Sequence, residues 1–122
     1  MYYIETGKIS PIYIIRDKYM VQELQNSFME EVKEGVTFVD FYANWCTPCR
    51  MMMPVVEELS EEFNGRVKFI KVNTDDNQDL ALSLNIQSIP RFYIFKDQSA
   101  VKVFVGAQKK ETLVSALEEC LK

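Results

Sequence analysis

Two cysteines stand three positions apart, at Cys46 and Cys49, with Thr47 and Pro48 between them. They fall at the predicted start of a helix, where unpaired backbone N–H groups and the helix dipole stabilise a thiolate at the first cysteine. Because only the thiolate attacks a disulfide, we expect Cys46 to be the nucleophile. Pro48 suits the first helical turn, which needs no N–H there. Cys49, inside the helix, is expected to be more buried and to resolve the mixed disulfide that Cys46 forms.

The same pair could instead be inert, or could supply half of a metal site. Structural zinc needs four ligands, usually from two such pairs, and the chain has three cysteines and no histidine. Metal binding by a single chain is therefore not expected, although a cluster shared between two chains remains open. A pair that follows a strand and leads into a helix favours redox chemistry. The third cysteine, Cys120, is expected to be a buried and inert thiol near the apolar stripe of the last helix.

A carboxylate at Asp40 interrupts an apolar stretch just before the cysteines. In a strand it would share a face with Val36 and Phe38, and a lone buried carboxylate is expensive, so its pKa should rise and it should find a partner. Lys71, on the neighbouring strand, is the candidate partner. Asp40 could also be a satisfied structural group and Lys71 a surface lysine with a buried stem. Buried acids with perturbed pKa values concentrate at active sites, which favours the functional interpretation.

The composition limits what else the chain can do. Its 122 residues are 48% hydrophobic and 26% charged, as is usual for one folded domain. The absence of histidine excludes Ser–His and Cys–His nucleophile systems and His-liganded zinc. A net charge of −4 argues against nucleic acid or an anionic membrane as a partner. With no targeting signal and no apolar run of about 20 residues, we expect a cytoplasmic protein.

The hydrophobic pattern predicts the elements that would position these residues. Residues 9–15 are predicted to form an edge strand, residues 17–33 a helix with apolar residues every four positions, and residues 36–42 a central strand buried on both faces. The remaining predicted elements are a helix at 47–63, a strand at 67–72, a short helix at 77–84, hairpin strands at 92–96 and 101–105, and a last amphipathic helix after Gly106. This βαβαβαββα order predicts an α/β fold, with a mixed central β-sheet flanked by helices on both faces.

The segment FVDFYANWCTPCR, residues 38–50, closely resembles the active-site segment of the thioredoxin family. Pro54 matches the proline that kinks the following helix in that family, and Ile89-Pro90 matches the site of its cis-proline. The resemblance extends from about residue 18 to the end. It implies the thioredoxin fold, whose order of elements is the one predicted above. We therefore expect residues 1–122 to form a single thioredoxin domain, in which residues 1–17 are less typical of the family.

The resemblance implies a general protein disulfide reductase with Cys46, Cys49, Asp40 and Lys71 as catalytic residues. Asp40 would move a proton to or from Cys49 through a water, and Lys71 would tune it. The implied substrate-binding residues are Trp45, Thr47, Pro48, Ile89 and Pro90. A cis bond at Pro90 would present the Ile89 backbone to an extended substrate segment. Taken alone, Pro90 could be a trans proline at a strand entry and Trp45 an ordinary core residue.

Four positions depart from the family pattern: Tyr42 where many members have Trp, Thr47 and Ser88 where Gly is usual, and Arg91 where a small residue is common. Thr47 and Arg91 are expected to line the docking surface, so the departures bear on redox potential and partner choice. Strong oxidants of this fold carry His between the cysteines, and its absence favours a reducing potential.

The family resemblance also implies partners for the protein. We expect a monomer that acts on protein disulfides, takes electrons from a thioredoxin reductase, and needs neither a bound cofactor nor a metal. The alternative is a binding or chaperone module that keeps the fold and makes little use of its cysteines.

Overall fold

The computed structural model describes residues 21–122. These residues form a five-stranded sheet with helices on both faces. The strands are β1 (Gln22–Glu23), β2 (Val36–Tyr42), β3 (Val67–Asn73), β4 (Arg91–Lys96) and β5 (Ser99–Val105), and the helices are α1 (Phe28–Glu31), α2 (Thr47–Glu62), α3 (Gln78–Ser83) and α4 (Lys110–Cys120). The sheet order is β1-β3-β2-β4-β5, with β2 parallel to β3 and antiparallel to β4. The mixed sheet and the order of elements confirm the predicted thioredoxin fold.

The predicted helix over residues 17–33 is confirmed only at its later end, and the rest of it that the structure describes is wrong. Gln22–Glu23 instead pair in parallel with β3, and the helix covers only Phe28–Glu31. Apolar residues four positions apart lie on one side of a strand as well as of a helix, so their spacing did not distinguish the two. The predicted strand at residues 9–15 lies outside the described residues.

Strand β2 is the central strand of the sheet, and both of its faces are buried, as its continuous apolar sequence predicts. One face packs under α2 and α4 in a core that includes Phe38, Met52, Leu59, Phe92, Leu113 and Leu117. The other face packs under α1 and α3 in a core that includes Phe28, Val39, Phe41, Ile70, Tyr93 and Phe95. The end of β2 therefore has a fixed position relative to the helix that follows it.

The hairpin between β4 and β5 anchors the start of β2. Its two-residue turn, Asp97–Gln98, has positive φ angles of 48° and 79°, the sign that a primed hairpin turn requires. The Asp97 Oδ1 atom accepts a hydrogen bond from the Gly35 N–H at 2.8 Å, and the Asp97 N–H donates to the Gly35 carbonyl at 2.9 Å. Among residues 21–122, no helix is long and apolar enough to cross a membrane.

Candidate active site

The two cysteines occupy the turn from β2 into α2 and are joined by a disulfide, with their Cα atoms 5.3 Å apart. Cys46 is the N-cap residue of α2, and its Sγ accepts a hydrogen bond from the Cys49 N–H at 3.2 Å. Pro48 lies in the first turn, where the missing N–H leaves no partner unsatisfied. The first turn of α2 thus places a backbone donor against the sulfur of Cys46, where it can stabilise negative charge.

Both cysteines are nearly enclosed, with 4% of Cys46 and 2% of Cys49 exposed. The expectation of a more buried Cys49 holds by a small margin, but Cys46 is far less exposed than a free surface thiol. In the disulfide form the pair packs against Ala43, with Tyr42 and Ile89 alongside. Access to Cys46 is therefore set by the exposed residues around it.

The rim of the site is made by exposed residues at the start of α2. Thr47 and Pro48 are exposed, as the predicted docking role requires. The Arg50 guanidinium donates to the Asn44 carbonyl at 2.7 Å and to Thr47 Oγ1 at 3.3 Å, which ties the turn to the helix.

Trp45 lies on the surface, with 68% of the residue exposed. Its indole Nε1 donates to Asp75 Oδ2 at 2.9 Å, so a core-packing role does not describe it. Met51, Met52 and Met53 point in different directions because successive residues of a helix do. Met51 and Met53 are exposed, and Met52 is in the core. The exposed surface beside the disulfide is thus partly apolar.

The Ile89–Pro90 peptide bond is cis, as the resemblance implied. Ile89 packs against the cysteine cluster, so this bond lies beside the disulfide. Arg91 is the register partner of Phe41, which places it on the sheet face that carries α1 and α3. Its guanidinium donates to the Asn85 carbonyl and to Ser88 Oγ, both at 3.3 Å. Arg91 therefore braces the loop before the cis bond.

Asp40 and Lys71 are direct register partners across β2 and β3, as the sequence predicts. Only 5% of Asp40 is exposed, and its Oδ1 has no hydrogen-bond partner among the described residues. Burial raises the pKa of Asp40 from 3.8 to about 7; Lys71 opposes the increase and Glu23 adds to it. Asp40 is therefore poised to gain or lose a proton near neutral pH.

A cavity of about 140 Å³ lies beside Lys71 and the resolving cysteine. Cys49, Lys71, Tyr42 and Met53 are among the residues that line it. It is large enough for water, so it offers a route between the Lys71 side of the pair of Asp40 and Lys71 and the Cys49 sulfur.

Two residues of this region were not predicted from the sequence. The Glu23 carboxylate accepts a hydrogen bond from the Tyr42 hydroxyl at 2.7 Å, and Asp75 holds Trp45. Glu23 shares a strand face with the buried Val21, two positions earlier, and the exposed Gln22 lies between them; this signal becomes visible only when the segment is recognised as a strand. Nothing local marks Asp75, since its partner lies 30 positions away.

The third cysteine lies apart from the other two. Cys120 is buried in the core under α4, and burial raises the pKa of its thiol, in agreement with the expectation of an inert thiol. Within residues 21–122, no group of three Cys, Asp or Glu side chains could hold a metal ion.

A two-residue-spaced disulfide whose first cysteine caps a helix N-terminus, beside a buried acid, is the arrangement of a thiol–disulfide oxidoreductase. The family model for thioredoxin matches residues 19–119. The chain belongs to the thioredoxin family, and its activity is protein disulfide reduction by thiol–disulfide exchange.

Named thioredoxins are similar to the chain over most of its length. The thioredoxin of Synechocystis sp. PCC 6803 is 48% identical over 97 residues, 78% of this chain and 91% of the relative. The thioredoxin of Bacillus subtilis is 40% identical over 94 residues, 77% of this chain and 90% of the relative. A solved mutant thioredoxin from Halobacterium salinarum superposes with a TM-score of 0.74 at 32% identity, covering 83% of this chain and 90% of that one.

Proposed function

We propose that the chain is a monomeric, single-domain reductant of diverse protein disulfides in the cytoplasm, and that a thioredoxin reductase returns it to the dithiol form. The observation that carries the proposal is the hydrogen bond from the Cys49 N–H to Cys46 Sγ at the start of α2. The electrons reside in the cysteine pair, so the reaction needs no bound cofactor.

In the first step, the Cys46 thiolate attacks one sulfur of the target disulfide. A bond forms between Cys46 and that sulfur, and the other target sulfur leaves as a thiolate. The Cys49 N–H and the positive end of α2 stabilise the charge on Cys46 before the attack. Trp45, Thr47 and Pro48 surround the point of attack and would contact the target.

In the second step, Cys49 attacks Cys46 Sγ and releases the target as a thiolate. Cys49 must first lose its proton, and we propose that the Asp40 carboxylate accepts it through water in the cavity beside Cys49 and Lys71. Two electrons pass to the target, and the protein keeps the Cys46–Cys49 disulfide. The pKa of Asp40, near 7, suits an acid–base group that works in both directions.

Target binding is proposed to use the backbone beside the cis bond. Ile89 lies against the cysteine cluster, so its backbone is close to where a target sulfur must sit. An extended target segment could pair there as an added strand. The Pro90 carbonyl already accepts from the Gly106 N–H at 2.8 Å, which leaves the pairing to Ile89.

Trapping experiments test the division of labour between the cysteines. Cys49→Ser should form mixed disulfides with target proteins, which excess dithiol releases, because the first step proceeds and the second cannot. Cys46→Ser should trap few or none. Cys120→Ser is the matched control, because Cys120 is a buried thiol outside the site, and it should reduce insulin as the unmodified protein does.

The opposite pattern would contradict these roles. Targets trapped by Cys46→Ser but not by Cys49→Ser would reverse the two cysteines. Failure of the unmodified protein to reduce insulin, together with no trapping by either variant, would favour the binding or chaperone module.

Asp40→Asn should reduce insulin more slowly near pH 7 while still forming the first mixed disulfide, because it lacks the proton acceptor for Cys49.

A further inference from the structure

Three ionisable residues stand side by side on the sheet face beneath α2. Glu23 is the register partner of Lys71, and Lys71 is the register partner of Asp40, so the three form a row across β1, β3 and β2. Register partners in neighbouring strands project on the same face of a sheet. We call these three residues the acid–lysine row. The roles proposed above use its Asp40 and Lys71 but leave Glu23 without a function.

Tyr42 interacts with two neighbouring members of the acid–lysine row, Glu23 and Lys71. It lies two positions after Asp40 in β2, on the same face, and its hydroxyl donates to Glu23 Oε1 at 2.7 Å. The Lys71 ammonium lies 5.7 Å from the centroid of the Tyr42 ring, within range of a cation–π attraction. The Tyr42 side chain thus holds Glu23 with its hydroxyl and contacts Lys71 with its ring.

Acidic side chains outnumber basic ones around Lys71. Lys71 lies between Asp40 on β2 and Glu23 on β1. Helix α2 adds a third acid, Glu57: burial raises its pKa, and the nearby charge of Lys71 acts in the opposite direction. The register partner of Asp40 on β4 is the apolar Phe92. Three carboxyl groups therefore lie around one ammonium, and Asp40 is the most buried of them.

None of these acids forms a close pair with the lysine. Within residues 21–122, no ion pair as short as 4.0 Å joins Lys71 to Asp40, Glu23 or Glu57. Glu23 is instead hydrogen-bonded to Tyr42. If that bond were lost, the Glu23 carboxylate would be free to approach the Lys71 ammonium and to compete with Asp40 for it.

We propose that Glu23 and Tyr42 are positioning residues for proton exchange at the active site: Tyr42 holds Glu23 off Lys71, and the charge of Glu23 makes Asp40 retain its proton more strongly. The proposal rests on the proposed role of Asp40 as the group that exchanges a proton with Cys49.

The electrostatics of the two groups agree with this assignment. Burial is the main reason that the pKa of Asp40 is raised, and Glu23 raises it further. Burial, and then the hydrogen bond to Glu23, raise the pKa of the Tyr42 hydroxyl above its usual range. Tyr42 therefore keeps its proton and remains a donor to Glu23 at physiological pH.

The two residues are expected to act in opposite directions when changed. Glu23→Gln removes a charge two strands from Asp40, about 10 Å away, and keeps an oxygen that can accept from Tyr42. It should lower the titration midpoint of Asp40 by about 0.5–1 pH unit. Tyr42→Phe keeps the ring over Lys71 but frees Glu23, so it should raise the midpoint.

The titration is followed by NMR of the carboxyl carbon of Asp40 in the oxidised protein, where the disulfide-bonded cysteines do not titrate, and the pH dependence of insulin reduction is measured in parallel. Glu34→Gln is the control, because it makes the same charge change at an exposed position in the loop before β2. Its midpoint should match that of the unmodified protein. A purely structural role for Glu23 and Tyr42 would change stability but not the midpoint.

Opposite shifts for Glu23→Gln and Tyr42→Phe, with the pH profile of insulin reduction moving in step, would support the proposal. A midpoint for Glu23→Gln equal to that of Glu34→Gln would overturn the charge effect, and an unmoved or lowered midpoint for Tyr42→Phe would overturn the holding role. The role of Asp40 is tested separately: if Asp40→Asn reduces insulin as fast as the unmodified protein at every pH, the function proposed for Asp40 fails, whatever the midpoints show.

Discussion

The Trp45 indole Nε1 donates a hydrogen bond of 2.9 Å to Asp75 Oδ2, and this bond links the residue before the first cysteine to the loop after β3. Because Trp45 is exposed, the bond, and not burial, fixes the direction of its ring. A large side chain that is held in place beside a reactive sulfur can contact a target without losing much conformational freedom on binding.

Asp75→Ala should therefore weaken target reduction more than it weakens the fold. Loss of a hydrogen bond of about 1 kcal/mol would lower kcat/KM for insulin about fivefold, while the free energy of unfolding should change by less than about 1 kcal/mol. Asp76→Ala is the matched control, since its neighbouring side chain is also exposed. The chain has one tryptophan, so fluorescence anisotropy reports the freed indole directly. Equal effects of the two variants on insulin reduction would contradict this role.

Asp40→Asn should stabilise the protein in a pH-dependent way. The pKa of Asp40 is about 7 in the folded state against an ordinary 3.8, so the folded state holds a proton that the unfolded state releases between these values. Stability therefore falls as pH rises through this window, by up to about 4 kcal/mol for this group. The variant should equal the unmodified protein near pH 4 and exceed it above pH 7.

Urea denaturation of the oxidised proteins from pH 4 to pH 8 measures this difference. Asp76→Asn, at an exposed position, should follow the unmodified protein throughout. A stability gain of the same size at every pH would mean that removal of a polar group, and not a proton equilibrium, is responsible.

Arg91 should affect target binding through the loop that it braces. Its guanidinium bonds to Asn85 and Ser88, so its removal should loosen the backbone that leads to Ile89. Arg91→Ala should raise KM for insulin about threefold to tenfold, equivalent to roughly 1 kcal/mol, with little change in the rate at which Cys46 is alkylated in the reduced protein. Arg91→Lys separates charge from geometry, because lysine lacks the planar fork; if it restores KM, attraction of targets by charge is the better explanation.

Gln98→Gly should stabilise the hairpin between β4 and β5. Gln98 has a φ of 79°, which costs a residue with a Cβ about 1–2 kcal/mol, and glycine removes this cost at some expense in chain entropy. We expect a net gain of about 0.5–1 kcal/mol, measured by urea denaturation. Gln98→Ala retains the Cβ and should give no gain. Insulin reduction should be unchanged in both.

The central strand was predictable from sequence because its environment is uniform. Residues 36–42 are buried on both faces, so an uninterrupted apolar run can only be a core element, and the single acid in it stands out. The turn after it was predictable because the cysteines and Pro48 each suit a helix start. These features depend on neighbours in the chain.

The N-terminal part of the site depends on neighbours in space, and so the sequence alone did not predict it. Strand β1 is two residues long and is defined by its pairing with β3, some 48 positions away. Glu23 was therefore assigned to a helix, and its alignment with Lys71 could not be seen. The burial of Cys46 depends in the same way on Ile89, which approaches only when the sheet is assembled.

Side chains along β2 alternate between the two faces of the sheet, so neighbouring residues of this strand serve different properties of the protein. Asp40 and Tyr42 project toward the helix that carries the cysteines, whereas Val39 and Phe41 project into the apolar core on the opposite side. Substitutions at Asp40 and Tyr42 alter proton affinity and stability together, whereas substitutions at Val39 and Phe41 alter packing on the side away from the cysteines. A lineage of such proteins therefore has one set of codons at which thermal tolerance changes without the chemistry, next to a set at which the two change together.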